Sequence, residues 1–210
     1  MNDHYFSASP HSETNYGLIR TSFCGRIFEF ITAASVFSKR RIDTGTQLLI
    51  ESMVLPKEGY VLDIGCGYGA VGIVAAAVNA NLQVYMSDVN ARAVNLAKKN
   101  IERNRVFNAK TRCGYLYEPV ENLKFNCILS NPPVSAGREI VKAIITGAPK
   151  VMQAGAAFEM VIRSKIGAKM FPTLFIETFG NCTVISRGSG FRVLLGKYVV
   201  NNEAKPDNIC

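Results

Sequence analysis

The segment VLDIGCGYGAVG, residues 61–72, identifies the fold class of this 210-residue chain. Residues 61–64 form the apolar run of a buried strand, and the apolar residues 70–79 predict a helix. The glycines between them form a turn, and in open α/β sheets a ligand binds beside such a turn, at the carboxyl ends of the strands. The segment therefore predicts an α/β domain with its functional site beside this turn.

Strand and helix patterns alternate after this segment, which predicts a mostly parallel sheet with helices on both faces. The predicted strands are residues 61–64, 84–88, 110–113, 125–130 and 156–162, and the predicted helices are residues 70–79, 91–104, 137–148 and 166–179. Pro172 should bend or interrupt the last helix, because proline lacks the amide hydrogen that a helix interior needs. Two further strand patterns, 182–186 and 191–200, flank a Gly-Ser-Gly turn and predict a closing antiparallel hairpin.

The N-terminal part carries a β pattern of its own. Residues 16–32 alternate in polarity around Cys24-Gly25, which predicts a short hairpin. A helix is expected from residue 47 to about residue 53, before Pro56. The domain prediction has three parts: a hairpin and first helix packed on the core (residues 1–56), a ligand-binding domain (residues 57–200) and a polar tail (residues 201–210).

The charge balance suits a polyanionic partner. The chain has 24 lysines and arginines against 16 aspartates and glutamates, a net charge of +8. Residues 1–59 are neutral, so the whole surplus lies in residues 60–210. One dense group of cations is opposed in its span only by Glu102, and it predicts either a solvated helix face or a nucleic-acid contact. Its members are Lys98, Lys99, Arg103, Arg105, Lys110 and Arg112.

Several other classes of protein are excluded by the sequence. The longest uncharged apolar run, residues 70–78, has nine residues, far fewer than the roughly 20 that a membrane-spanning helix needs. Residues 1–14 lack the layout of a secretory signal. The six cysteines are scattered and there are only two histidines, which favours neither a disulfide framework nor a metal site. We therefore expect a cytoplasmic protein without metal. The sequence does not determine the oligomeric state, and a monomer is the expectation.

The glycine-rich turn also predicts the chemistry of its ligand. Gly67, Gly69 and Gly72 satisfy the dinucleotide fingerprint, but the carboxylate of Asp63 at the strand end would repel a pyrophosphate. The same carboxylate would pair with an ammonium group, so a cofactor with an amino-acid head and a sulfonium, S-adenosylmethionine, fits better. Glycines then allow close approach of the backbone, with a purely structural tight turn as the alternative.

A second carboxylate, Asp88, ends the next predicted strand, 25 residues after Asp63. There it can accept hydrogen bonds from both hydroxyls of a ribose, and the next residue, Val89, is expected to lie against the adenine. The alternative role for Asp88 is to cap the helix that begins near residue 91.

The predicted strand 125–130 leads into Asn131-Pro132-Pro133. The prolines stiffen the backbone, so the amide oxygen of Asn131 and the carbonyl of Pro132 can both point into the cleft. Two converging acceptors suit a planar NH2 group, whose lone pair would then face a methyl donor. We therefore predict in-line methyl transfer to an amine, aided by positioning and by acceptors that strengthen as the nitrogen becomes positive. The alternative interpretation is that Asn131-Pro132-Pro133 is an ordinary loop that ends the strand and has no chemical role.

In this order the motifs resemble those of class I S-adenosylmethionine-dependent methyltransferases that modify amines. Other segments are similar to the methyltransferase small domain family, whose best-known members are ribosomal small-subunit RNA guanine-N2-methyltransferases. These segments are residues 4–7 (HYFS), 25–30 (GRIFEF), 36–38 (VFS), 43–49 (DTGTQLL), 165–168 (KIGA) and 190–194 (GFRVL). The resemblance implies a Rossmann-like, seven-stranded, mostly parallel sheet whose last two strands form an antiparallel hairpin.

The resemblance and the motifs together assign the site residues. Those expected at the target amine and in catalysis are Asn131, Pro132 and Pro133. Those expected at the cofactor are Asp63, Gly65, Cys66, Gly67, Asp88, Val89 and Asn131, together with Gly45 and Thr46, which are similar to an upstream element that closes over it.

Two positions depart from the family pattern. Relatives often have an acidic residue where this chain has Tyr115, so the contact to the adenine amine must come from the backbone or be absent. Many amino-methyltransferases have an aromatic residue after the two prolines, where this chain has Val134. Stacking on the target base would then come from Phe37, Phe6 or Tyr5, each of which is otherwise a core or hairpin residue.

The leading hypothesis is an enzyme that methylates N2 of a guanosine in small-subunit ribosomal RNA. The alternatives are enzymes that use the same cofactor but methylate a transfer-RNA guanosine, N6 of an adenine, or a glutamine side chain of a protein. The basic charge of the chain disfavours a protein substrate, and the lack of an aromatic residue at Val134 disfavours adenine. A non-catalytic RNA-binding scaffold is opposed by the three polar side chains at the strand ends. The residues expected to contact RNA are Val134, Phe37, Lys39, Arg40, Arg41, Arg138, Arg163, Lys165, Arg187 and Arg192.

Overall fold

A seven-stranded sheet with helices on both faces forms the core, as the sequence predicts. The computed structural model describes residues 16–33, 41–132 and 137–199. The strands are β1 (Tyr16–Phe23), β2 (Arg26–Ala33), β3 (Gly59–Ile64), β4 (Leu82–Asp88), β5 (Ala109–Cys113), β6 (Phe125–Ser130), β7 (Met152–Arg163), β8 (Thr183–Gly188) and β9 (Phe191–Lys197). The helices are α1 (Thr44–Ser52), α2 (Ala70–Val78), α3 (Ala91–Arg103), α4 (Arg138–Gly147) and α5 (Met170–Phe179), with short 3-10 helices at Glu118–Val120 and Ala148–Val151.

The strands of the large sheet are ordered β5-β4-β3-β6-β7-β9-β8. Strands β3 to β7 are parallel, and β9 is antiparallel to both β7 and β8, which confirms the predicted closing hairpin. The direction in which the chain adds strands reverses between β3 and β6, and in open α/β sheets a crevice forms at such a point. The fold therefore places the carboxyl ends of β3, β4 and β6 around one crevice.

Apolar side chains fill both faces of the sheet. Alternate residues of β3 divide between the two cores, with Val61 facing α1, α2 and α3, and Leu62 facing α4 and α5. Helix α2 packs closely on the sheet at Gly72, where a Cβ atom would lie only 2.4 Å from Cγ of Met86. Glycine at this position lets the helix lie near β4, which brings its amino-terminal turn to the end of the strands.

The hairpin of β1 and β2 is a separate two-stranded sheet that docks on α3. The side chain of Asn100 accepts from the amide of Ile31 at 2.7 Å and donates to its carbonyl at 2.9 Å. Asn104 makes the same pair of bonds with Glu29, at 3.0 and 2.8 Å. Both asparagines are buried, so these bonds fix the hairpin to the core in one register.

Two predicted helix boundaries are wrong. Helix α1 begins at Thr44 rather than at residue 47, because Asp43 accepts the amide hydrogens of Gly45 and Thr46 and caps the helix earlier. Helix α5 begins at Met170 rather than at residue 166. Pro172 therefore lies in its first turn, where the missing amide hydrogen breaks no helical bond, and it does not interrupt the helix.

None of the helices within residues 16–33, 41–132 and 137–199 is long and apolar enough to cross a membrane. The His, Cys, Asp and Glu side chains of the same residues nowhere gather into a group of three that could hold a metal ion. The five cysteines in this part of the chain are all free thiols.

Candidate active site

Three polar side chains converge at the carboxyl ends of adjacent strands. Asp63 is the last residue but one of β3, Asp88 ends β4, and Asn131 directly follows β6. The three strands are neighbours in the order β4-β3-β6. The structure therefore brings together the three side chains around which the sequence predicts a site.

The glycine-rich loop after β3 is held against β4 by its backbone. The amides of Gly65 and Cys66 donate to the carbonyl of Ser87, at 2.9 and 3.0 Å. Gly67 has a φ of +57°, a left-handed conformation that favours glycine, and its amide donates to Oδ2 of Asp88 at 2.9 Å. The thiol of Cys66 is buried and lies near the carbonyl of Gly67. A ligand can therefore approach the loop backbone at Gly65 and Gly67 without meeting a side chain there.

Asp63 is almost fully buried, with 1% of its surface exposed. Its Oδ2 accepts the amide hydrogen of Gly72 at 2.9 Å. Burial raises the pKa of Asp63 to about 7; the Gly72 bond opposes this shift and the nearby charge of Asp88 adds to it. A buried carboxyl with this pKa is poised to ionise when a cation binds beside it, which is what an ammonium group would supply.

Asp88 is available for a ligand because another residue caps α3. The side chain of Asn90 accepts the amide hydrogens of Arg92 and Ala93 at the start of the helix. Asp88 instead accepts from the amides of Gly67 and Asn90, both at 2.9 Å, and burial raises its pKa. The backbone of Val89 also bonds to Asp88. A carboxylate has about four acceptor sites, so Asp88 keeps acceptor capacity for a ribose hydroxyl.

An open, mostly apolar pocket lies beside Asp88. Half-buried Val89, which the sequence predicts to lie against an adenine, forms part of its wall, and so does Tyr115. The other lining residues are Ile64, Gly65, Ser87, Asp88, Gly114, Leu116, Ile140 and Ile144. Such a lining suits a planar ring that is held mainly by apolar contact.

The side chain of Asn131 is fixed by two residues of the α1 cap. Its Nδ2 donates to Oδ2 of Asp43 and to Oγ1 of Thr46, both at 2.8 Å. The hydroxyl of Thr46 also donates to Oδ2 of Asp43 at 2.8 Å. The nitrogen end of the amide is thereby occupied, and its oxygen is left as the acceptor. Pro132 follows and is buried.

Asp43 contacts the candidate site, although the sequence analysis did not assign it there. Its spacing to Thr46 signals only a helix cap, and no local pattern reveals a partner 88 residues later. The structure places Thr46 beside Asn131, and both are among the residues that the sequence predicts at the cofactor. Gly45 packs against the ring of Phe191, where a Cβ atom would lie 3.0 Å from a ring carbon.

The predicted RNA-contacting cations are only partly assembled around this site. Arg163 ends β7 at the same edge of the sheet as Asn131 and lies over the ring of Phe191, with Lys165 exposed just beyond it. Arg138 is exposed at the start of α4. Arg192 is half-buried, and its guanidinium donates to the carbonyl of Ala168. Arg41, before α1, and Arg187, on β8, are exposed. The other candidates lie outside the described residues: Phe37, Lys39, Arg40, Pro133 and Val134, with the aromatic candidates Tyr5 and Phe6.

The sequence matches the family model of the methyltransferase small domain over residues 27–195. An uncharacterised protein of Bacillus subtilis, YbxB, is 34% identical over 95% of this chain and 100% of its own length. The ribosomal RNA small subunit methyltransferase C of Hamiltonella defensa is 31% identical over 77% of this chain and 48% of its own length. The chain therefore spans about half the length of the named methyltransferases that it matches.

Solved structures show the same fold. The 16S rRNA N2 methyltransferase RsmC of T. thermophilus, in complex with AdoMet and guanosine, superposes with a TM-score of 0.77. It is 21% identical, and the match covers 90% of this chain and 52% of that one. A ribosomal protein L11 methylase of Lactobacillus delbrueckii superposes with a TM-score of 0.61 at 20% identity, over 75% of this chain and 84% of its own.

Proposed function

Since the chain belongs to the methyltransferase small domain family, we propose that it methylates N2 of a guanosine in small-subunit ribosomal RNA, with S-adenosylmethionine as the methyl donor. The observation that carries this proposal is the fixed amide of Asn131. Its nitrogen is bound by Asp43 and Thr46, so its oxygen is preset to accept a hydrogen from an exocyclic amine.

The residues present fit the proposed cofactor. Asp63 would pair with the ammonium of the methionine part, the backbone of Gly65 and Gly67 would lie along it, and Asp88 would accept the ribose hydroxyls. The apolar pocket that includes Val89 would hold the adenine. When bound, S-adenosylmethionine supplies an electrophilic methyl group on its sulfonium.

The contribution of the protein to the reaction is mainly positioning. The oxygen of Asn131 and the carbonyl of Pro132 would accept the two hydrogens of the guanine amine, which directs its lone pair towards the methyl group. Both acceptors bind more strongly as positive charge develops on the nitrogen, so they stabilise the transition state more than the bound substrate. Because Asp43 and Thr46 hold Asn131 in place before substrate binds, little reorganisation is needed at the reacting centre.

RNA is the proposed substrate because the chain is positively charged and because its named relatives are RNA methyltransferases. The surplus of eight positive charges lies entirely in residues 60–210, and Arg163 and Lys165 lie at the edge of the sheet where Asn131 is found. Two relatives, about half of whose length matches this chain, are named ribosomal RNA small subunit methyltransferases. A transfer-RNA guanosine is the alternative acceptor, whereas a glutamine side chain on a protein gains nothing from the basic charge.

The proposal extends to the organisation and location of the protein. Residues 57–200 would be the catalytic domain, residues 1–56 a hairpin and helix that complete it, and residues 201–210 a tail. A ribosomal RNA substrate would place the protein in the cytoplasm, where we expect it to act as a monomer.

The proposal is tested with small ribosomal subunits from a strain that lacks this gene. The purified protein and labelled S-adenosylmethionine should transfer label to the 16S rRNA, and mass spectrometry of its nucleosides should show N2-methylguanosine. Transfer-RNA from the same strain and the stripped ribosomal proteins serve as parallel substrates. Label in either of these but not in the 16S rRNA would replace the proposed substrate, and no label in any would reject the RNA methyltransferase.

A further inference from the structure

Phe107 is the most exposed large hydrophobic residue of the described chain. Its exposed fraction is 92%, and the next highest, that of Val199, is 59%. Phe107 lies in the turn between α3 and the edge strand β5, at the amino-terminal end of that strand. It is therefore at the opposite end of the sheet from Asn131, and three strand spacings, about 14 Å, to one side.

The turn that carries Phe107 is held rigidly on both sides. Val106 is buried, with 4% of its surface exposed. The side-chain amide of Asn108 donates to three backbone carbonyls, those of Ala76, Asn79 and Leu82, at 3.1, 3.2 and 2.9 Å. The aromatic ring between these two anchors projects from a fixed backbone, so a ligand that contacts it has little main chain to order.

The residue that follows the end of α3 has a backbone conformation that is unfavourable for a residue with a side chain. Arg105 has a φ of +52°, and the amide of Val106 donates to the carbonyl of Ile101 at 3.1 Å, which closes the helix in a Schellman turn. Glycine is the preferred residue at this left-handed position because it has no Cβ. The fold requires neither an arginine at position 105, where glycine is preferred, nor an exposed ring at position 107. Both side chains are therefore available to contact a ligand.

The surroundings of Phe107 are cationic. Nη2 of Arg26, in the docked hairpin, donates to the carbonyl of Asn104 at 2.5 Å, and Lys110 is exposed on β5. The salt bridge of Arg103 to Glu29, at 2.8 Å, neutralises one neighbouring arginine. Three cations remain against the exposed Glu102: Arg105, Arg26, which lies over the ring of Phe28, and Lys110, whose Nζ lies 5.9 Å from the ring centre of Tyr85. Aromatic rings among cations are the arrangement with which proteins bind single-stranded nucleic acid, by base stacking and phosphate contacts.

We propose that the Phe107 turn, residues 104–108 with Arg26 and Lys110, is a second RNA contact that stacks an unpaired base and holds adjacent phosphates. It would anchor the substrate RNA at the edge of the sheet while the target guanosine enters the crevice at Asn131. The RNA occupant is favoured over a second copy of this chain because two such cationic surfaces repel each other. This inference rests on the proposed function for the identity of the RNA as substrate.

Two variants test it. Phe107→Ala removes the ring from the surface without touching the core. Arg105→Gly removes the charge and places the preferred residue at the left-handed position, so its melting temperature should equal or exceed that of the parent protein. Matched controls from the other face of the sheet are Ile176→Ala on α5, which removes another exposed apolar side chain, and Lys142→Ala on α4.

The measurement is fluorescence anisotropy with a labelled, mixed-sequence single-stranded RNA of about 16 nucleotides, a length within the range of single-strand binding sites. Phe107→Ala should weaken binding by about fivefold to a hundredfold, the range for one stacked base. Arg105→Gly should weaken it by a few fold and reduce its salt dependence by about one phosphate contact. Both controls should bind as the parent does, and calorimetric binding of S-adenosylmethionine should be the same in all five proteins.

Affinities within twofold of the parent for both variants would overturn the second contact, even if the parent methylates RNA. Conversely, weaker RNA binding by both variants, in a protein that transfers no methyl group to RNA, would leave the contact in place and reject the proposed function. Concentration-dependent dimerisation that Phe107→Ala abolishes in sedimentation would assign the surface to a second copy and overturn the RNA contact.

Discussion

The amide nitrogen of Asn131 lies 2.8 Å from Oδ2 of Asp43, although the two residues are 88 positions apart. A carboxylate can only accept hydrogen bonds, so the nitrogen end of the amide must face Asp43 and the oxygen must face away. Asp43 also caps α1 through the amides of Gly45 and Thr46. The side chain of Asp43 therefore fixes the start of α1. It also fixes the orientation of the Asn131 amide, whose oxygen is the proposed hydrogen-bond acceptor for the substrate.

Replacement of Asn131 by alanine should separate catalysis from cofactor binding. The variant loses the acceptor that strengthens as the amine becomes positive, so methyl transfer should fall by at least about a hundredfold. Binding of S-adenosylmethionine, measured by calorimetry, should change little because Asp63 and Asp88 remain. Turnover equal to that of the parent protein would remove Asn131 from the reaction.

Asp43→Asn tests the orientation of the amide with less disturbance. Asparagine caps helices as well as aspartate does, so the melting temperature should stay near that of the parent. Its NH2 group, however, would face the amide of Gly45 in one orientation, and the NH2 of Asn131 with the amide of Thr46 in the other. None of these N–H groups can accept, so either orientation loses a bond. We expect kcat to fall by roughly tenfold to a hundredfold, as for loss of one charged hydrogen bond, with cofactor affinity unchanged.

The control for Asp43→Asn is Gln47→Ala, in the same helix, which breaks only an exposed bond to Glu51. A variant that loses stability and activity in parallel would show that Asp43 is simply a helix cap. Retention of full kcat would show that the orientation of Asn131 does not depend on the carboxylate.

The sheet and the site carboxylates are predictable from the sequence because local patterns encode them. The apolar residues 61–64 before the glycines predict β3, and Asp63 and Asp88 are found by their positions at strand ends. The last helix is predicted four residues too long at its start, since periodicity alone does not distinguish the turns before Met170 from helix. Pro172, which the sequence predicts to bend or interrupt the helix, lies in its first turn instead.

The contacts that complete the site are not predictable in this way. The bond between Asp43 and Asn131 joins the start of α1 to the end of β6, and it depends on where two elements distant in the chain pack. Asn90 is likewise identified as the cap of α3 only by its bonds to Arg92 and Ala93. The sequence analysis offers Asp88 for this role, because aspartate is favoured at helix starts.

The pKa of Asp63 predicts how cofactor binding depends on pH. Because burial raises this pKa to about 7, the carboxyl is increasingly protonated at lower pH and cannot then pair with an ammonium group. Affinity for S-adenosylmethionine should therefore fall below pH 7, by up to about tenfold per pH unit. It should fall again above about pH 8, where an α-amino group loses its proton.

Calorimetry in two buffers of different ionisation enthalpy measures this effect directly. Binding near pH 6.5 should release protons to the buffer, because the ammonium group favours the ionised form of Asp63. Asp63→Asn should bind weakly and lose the acidic limb of the profile. An acidic limb that persists in this variant would assign the pH dependence to another group.

Glu159 is a second buried carboxyl, with no exposed surface, and it supports α1 from the other end. Both of its oxygens accept the amide hydrogen of Val54, just after the helix, at 3.0 and 3.2 Å. Burial raises the pKa of Glu159 to about 7, and the bond from Val54 partly opposes the shift. The helix that begins at the Asp43 cap is thus tied at its far end to β7 of the large sheet.

Because the pKa of Glu159 is higher in the folded protein than its ordinary value of 4.5, the folded state binds the proton more tightly than the unfolded state. The resulting stability is complete below about pH 4.5 and is lost as the pH rises through 7, by up to about 3 kcal/mol in the free energy of unfolding. Glu159→Gln keeps an acceptor for Val54 but cannot ionise, so its unfolding free energy should decline less between pH 5 and pH 8. Urea denaturation of the parent protein and of Glu159→Gln across this range gives the unfolding free energy of each. Asp63 contributes equally to both proteins, so its contribution cancels in the difference between the two. The exposed Glu118→Gln serves as the control, and parallel curves for parent and Glu159→Gln would show that Glu159 ionises without cost in the fold.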